Sequence, residues 1–135
     1  MKKRMVLIML LSPLVLSVSA GEKDRGKEIF TTVCMACHKF DRSPDMVAPP
    51  IFGVKNHYLN AHPDREGFVK RLSSWLEKQD PEKTLMPGAV RRFNLMPPIS
   101  LPNSDRVAVA GFIYDADFSE PSWYAEHYQK EHGTK

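Results

Sequence analysis

The sequence predicts a mainly α fold in a single domain. Three observations carry this expectation. Apolar residues recur at helical spacing in three stretches, each stretch opens on a residue suited to cap a helix, and no stretch alternates as a half-buried strand would. A length of 135 residues fits one domain. Hydrophobic residues make up 42% and charged residues 26%, the balance of a folded chain rather than a disordered one. Eleven prolines and seven glycines point to prominent loops.

The first twenty residues read as a leader. Lys2, Lys3 and Arg4 form a positive start, and an apolar run follows from Met5 to Val18, broken only by Ser12, Pro13 and Ser17. Val18-Ser19-Ala20 then offers small residues to a peptidase, completing the pattern of a secretory signal peptide. The run is 14 residues long, short of the roughly 20 that cross a bilayer. Cleavage is expected after Ala20, and no cysteine lies near enough to carry a lipid anchor. The chain from Gly21 onward holds sixteen basic and sixteen acidic residues, so the formal charge of +3 belongs to the leader. It makes no case for nucleic-acid binding. The expectation is an exported, periplasmic protein with no membrane insertion after cleavage.

Asp24 is placed to cap a first helix from Arg25 to about Lys39, with Ile29, Phe30 and Val33 as its buried stripe. A proline-rich loop follows from Ser43 to Pro50, and a short helical turn is expected within His57–Pro63. Asp64 caps a second helix, Arg65 to Lys78, whose apolar face is Phe68, Leu72, Trp75 and Leu76. From Gln79 to Leu101 the chain reads as mostly irregular, with Pro81, Pro87, Gly88, Pro97 and Pro98. These are 23 residues, and structureless loops of that length are uncommon in compact domains. A buried prosthetic group would order it. Asn103 or Ser104 caps a third helix, and Asp105 in its first turn suits the helix dipole. Val107, Val109, Ala110, Phe112, Ile113 and Tyr114 fill that helix. The domain is expected over residues 21–118. Residues 119–135 form an aromatic C-terminal extension, with Trp123 packed back by a short helix over 122–130.

The chemistry is carried by Cys34-Met35-Ala36-Cys37-His38, a CxxCH motif of the kind that attaches c-type haem. Two thiols three residues apart lie on one side of a helical turn. They can add to the two vinyl groups of one haem as thioethers, and the adjacent histidine then donates Nε2 to the iron. Covalent attachment holds a flat apolar cofactor in a chain too small to enclose one otherwise. Other uses of the pair are weaker on the residues. A thioredoxin-like site wants a βαβ context, a disulfide between Cys34 and Cys37 would close a very short loop, and zinc would need two further histidines.

With this motif the chain resembles the soluble, class I monohaem cytochromes c of bacterial periplasms, over about residues 23–115. The resemblance implies a cytochrome c-like fold, with N- and C-terminal helices crossing around one covalent haem. Gly26 and Phe30 stand where the family crosses those helices, and Phe112-Ile113 matches its final aromatic-aliphatic pair. Ala48-Pro49-Pro50-Ile51-Phe52-Gly53 matches the family's Gly-Pro-x-Leu-x-Gly loop, with Ala48 in place of the first glycine. The Pro49 carbonyl would then accept a bond from His38 Nδ1–H, fixing the tautomer and strengthening the ligand. In the family a Met-Pro pair before the last helix supplies the sixth ligand.

Met96-Pro97-Pro98 stands at that place, and Pro97 biases Met96 toward an extended backbone. A thioether closes the iron and raises its potential relative to a second histidine. Met86-Pro87 has the same local logic ten residues earlier, and His57 or His62 are further alternatives. Trp75, Tyr58, Arg91 and Arg92 are weak candidates to bond haem propionates. The reading is a one-electron carrier and not an enzyme, a monomer that meets its periplasmic redox partners through small, weak contacts. One alternative is a haem module with an open or displaceable sixth site for NO, CO or peroxide. Another is a fixed subunit of a respiratory complex, docked by its aromatic tail.

Overall fold

The computed structural model describes residues 20–40, 44–119, 129–130 and 133. Every element among them is helical, and none is a strand. Helix α1 (Ala20–Ile29) runs into one π-helical turn (Phe30–Cys34), closed by Met35 N–H donating to Phe30 O at 2.9 Å. Thr31 and Thr32 turn their hydroxyls back onto the carbonyls of Lys27 and Glu28, at 2.6 and 2.8 Å. Such back-bonding competes with regular helix hydrogen bonds and suits a local change of register. Asp24 lies inside α1 rather than at its cap, because the helix already runs from Ala20.

Helix α2 (Ile51–Ala61) replaces the short turn expected within His57–Pro63. Pro50, at φ −62° and ψ 148°, leads directly into it. A proline that ends a loop is also suited to open a helix. Ile51, Phe52, Val54 and Tyr58 form its buried stripe. Helix α3 (Arg65–Glu77) opens as expected, with Gly67 N–H donating to Asp64 Oδ1 at 2.7 Å. The stretch after it is less irregular than its prolines suggest. It holds a 3₁₀ turn (Pro81–Lys83) and helix α4 (Pro87–Phe93). Pro87 sits in the first turn of α4, where its missing N–H costs nothing. Helix α5 (Asn103–Asp115) begins after Pro102, with no side-chain cap; Asn103 and Ser104 are its first helical residues.

Helices α1 and α5 cross at Gly26. A Cβ there would lie 2.2 Å from Ala108 O and 2.8 Å from Phe112 Cβ, so only glycine permits this approach. Arg25 locks the crossing with two bonds to Asp105, Nη2 to Oδ2 at 2.6 Å and Nε to Oδ1 at 3.2 Å. Phe30 packs on Phe112 and Phe118, each with ring centroids 5.5 Å away. On the other side of α5, Phe68 of α3 meets Tyr114 edge-on at 5.2 Å. One apolar core joins these helices, with Phe52, Phe68 and Val109 essentially sealed from water. Val33, expected in the buried stripe of the first helix, is 39% exposed. It lines the cleft instead of the interior shared by Ile29 and Phe30. Lys55 Nζ donates to Ala116 O at 2.6 Å, which ties the chain leaving α5 to α2. Trp123, Tyr124 and Tyr128 lie outside the described residues; Gln129 and Lys130 are helical. Among the described residues no helix is long and apolar enough to cross a membrane.

Candidate functional site

The helices enclose a cleft of about 1160 Å³, open solvent at its mouth included. One wall comes from the end of the first helical stretch. His38 N–H donates to Cys34 O at 2.9 Å and Cys37 N–H to the same carbonyl at 3.2 Å. This tight turn sets Cys34, Cys37 and His38 side by side on the cleft. The two cysteines are free thiols; Cys34 is half-buried and Cys37 exposed. Burial and the neighbouring Cys37 push the Cys34 thiol up to about 11.

His38 is held by its ring. Its Nδ1 lies 2.8 Å from Pro49 O. A carbonyl only accepts, so Nδ1 carries the proton and the Nε2 lone pair is left for a metal. Burial lowers the His38 pKa, against the smaller opposing effect of the Pro49 bond, and keeps the imidazole neutral. Ile51 N–H donates to Lys39 O at 3.0 Å, tying the start of α2 to the residue after His38. Ala48 lines the cleft without a positive φ, so the departure from glycine needs no strained backbone.

The facing wall is built by α4 and the chain beyond it. Met86, Ala89, Val90 and Phe93 line the cleft at helical spacing. Asn94 turns the chain with a φ of 66°, and Leu95, Met96, Pro97 and Ile99 continue the wall. Both methionines therefore line one cleft, half-buried and packed on the core. The floor is Tyr58 of α2 with Leu72, Trp75 and Leu76 of α3. Burial raises the Tyr58 pKa above its ordinary 10, so its hydroxyl stays protonated. His57 and His62 do not line the cleft, and His57 Nδ1 instead lies 2.8 Å from Gly53 O. Arg91 and Arg92 are exposed on the outer side of α4, with the Arg92 guanidinium 5.1 Å from the Phe93 ring centre. Helix α4 escaped the sequence reading. The spacing of Met86, Ala89, Val90 and Phe93 was its signal, masked by three flanking prolines.

The cytochrome c family model matches residues 23–116, from α1 through α5. The chain belongs to the cytochrome c family. An uncharacterized protein of Aquifex aeolicus (strain VF5) is 27% identical over 152 aligned positions, covering 98% of this chain and 97% of that protein. No solved structure matches. The family's work is haem-mediated electron transfer, and its members are carriers rather than enzymes.

The cleft fits the covalent haem c that this family implies. Its walls are largely apolar, two thiols lie on one rim beside an imidazole with its Nδ1 already engaged, and thioethers face the same space. The other uses of the cysteine pair find no support. Among the described residues no strand surrounds it, as a thioredoxin-like site would need. Among the described residues no cluster of three His, Cys, Asp or Glu side chains offers a metal site.

Proposed function

We propose that this cytochrome c is a periplasmic one-electron carrier in which His38 and Met96 would hold the haem iron. The observation that carries the reading is the bond between His38 Nδ1 and Pro49 O, made beside the two thiols on a cleft that Met96 also lines. Bound haem supplies one reversible electron. Each protein group has a separate task. Cys34 and Cys37 hold the porphyrin as thioethers. Pro49 fixes the His38 tautomer and makes the imidazole a better donor. Met96 offers a soft sulfur, which keeps the potential above that of a second histidine. It is chosen over Met86 because α5 begins soon after it, which is the family's place for the sixth ligand. The apolar lining keeps water from the ring, so little rearranges as charge changes. Tyr58 hydroxyl and the Trp75 indole N–H are neutral donors in the wall for the propionates.

The leader residues and the need for haem attachment outside the cytoplasm support an exported site of action. Val33, Val47 and Leu95 add apolar lining to the cleft, and its mouth is where a redox partner would approach closely. Such encounters are small and short-lived. The test is Met96→Ala in the haem-loaded protein. The weak ferric absorption band at the red end of the spectrum is expected to vanish, and ferrous protein to bind CO. A variant that keeps the band and excludes CO removes Met96 as ligand.

A further inference from the structure

The wall that carries Met96 is held in an unusual way. Among the described residues no backbone group from Leu95 to Leu101 pairs with another backbone group, and Pro97 and Pro98 have no N–H to give. The stretch makes one hydrogen bond among the described residues. Arg106 Nη1 donates to the Leu101 carbonyl at 2.8 Å. Arg106 rises from the start of α5, and its side chain is 14% exposed. Its Nη2 reaches Glu77 Oε1, the last residue of α3, at 3.1 Å and Asn103 Oδ1 at 3.3 Å. The Nε is buried without an acceptor, so the guanidinium is placed for its two outer nitrogens. One planar fork thus joins the end of the methionine stretch to α3 and α5 at once.

We propose that Arg106 is a positioning residue for the sixth ligand. It acts through the Leu101 carbonyl and holds the Met96 stretch closed over the haem. This rests on the reading of Met96 as ligand. A thioether is a weak donor, and an outside ligand binds only while the sulfur is away. Its apparent affinity therefore scales with the fraction of protein in which the stretch has moved off. Removing the one hydrogen bond on that stretch raises the fraction. Lysine is no substitute, because a single ammonium cannot span Leu101 and Glu77 with the fixed geometry of a guanidinium.

The test is titration of full-length, haem-loaded ferric protein with imidazole, alongside the red absorption band and the reduction potential. Arg106→Gln is expected to bind imidazole about tenfold more tightly, the change that loss of one hydrogen bond brings. Its red band weakens and its potential falls. Arg106→Lys lies between it and the wild type. Glu77→Gln keeps the Leu101 bond and stays within about twofold of wild type. Arg106→Gln that only unfolds at lower denaturant, with wild-type imidazole affinity and band, overturns the proposal. So does a rise for Glu77→Gln as large as that for Arg106→Gln. Should Arg106→Gln not fold, Arg106→Lys decides, and wild-type affinity there is equally contrary. Met96→Ala in the same titration separates the two readings. Wild-type affinity in that variant removes the ligand and with it the proposal. An opened Met96→Ala beside an unchanged Arg106→Gln removes the role of Arg106 alone.

Discussion

The wall that carries His38 and the wall that carries Met96 face one cleft but are held by different means. On the first, every bond lies within residues 34–51 and ends on a backbone carbonyl of that stretch: Cys34 O takes two N–H groups, Lys39 O takes Ile51 N–H, and Pro49 O takes the His38 ring. On the second, side chains reach from other helices. Arg71 of α3 donates to Lys83 O, and Arg106 of α5 donates to Leu101 O. A ligand held by bonds within its own stretch is fixed once that stretch folds. A ligand held by side chains of other helices depends on how those helices pack, and small changes there reach it. The contrast suits a carrier in which imidazole and thioether differ in donor strength.

Gly26 gives the largest way to disturb this arrangement, since the His38 wall hangs on the crossing of α1 and α5. Gly26→Ala places a methyl 2.2 Å from a backbone oxygen that cannot step aside. The expected cost is about 3 kcal/mol, read from denaturant unfolding. Unfolding at the wild-type midpoint would mean that the helices part without strain. Arg71→Ala is smaller, about 1 kcal/mol. Its sharper signature is amide exchange, faster at residues 83–86 and unchanged at 34–38. Equal acceleration on both walls would erase the distinction drawn between them. Asp105→Asn is smaller again. Arg25, by hydrogen bond and by charge, holds the Asp105 carboxyl below its ordinary 3.8. Stability from this pair is present above 3.8 and is lost as pH falls through the lowered value. The variant is therefore slightly less stable than wild type at pH 7, and the two converge in acid. A gap that stays constant with pH would mean that the ion pair contributes nothing.

The two walls also differ in how far their sequence reveals them. CxxCH and the cap at Asp64 are short-range devices, and each is complete within five residues. Helix α2 was read as a single turn, because Pro49 and Pro50 look like a loop until Ile51, Phe52, Val54 and Tyr58 are seen on one buried stripe. Helix α4 was read as irregular for the same reason. The π-helical turn has no local mark beyond Thr31 and Thr32, and Val33, expected in the core, lines the cleft. Arg106 lies five residues from the carbonyl it holds and 29 from Glu77, a link that only the packed fold creates. Met86 and Met96 stand equally before a proline, and the cleft accepts both.

Intact mass of the exported protein, paired with its pyridine haemochrome spectrum, decides whether haem is joined to the thiol pair. A chain beginning at Gly21 with one haem bound through both thiols is expected, and loss of that double linkage in Cys34→Ala. A colourless protein with the mass of the bare processed chain, made where haem-attachment machinery is active, would contradict it.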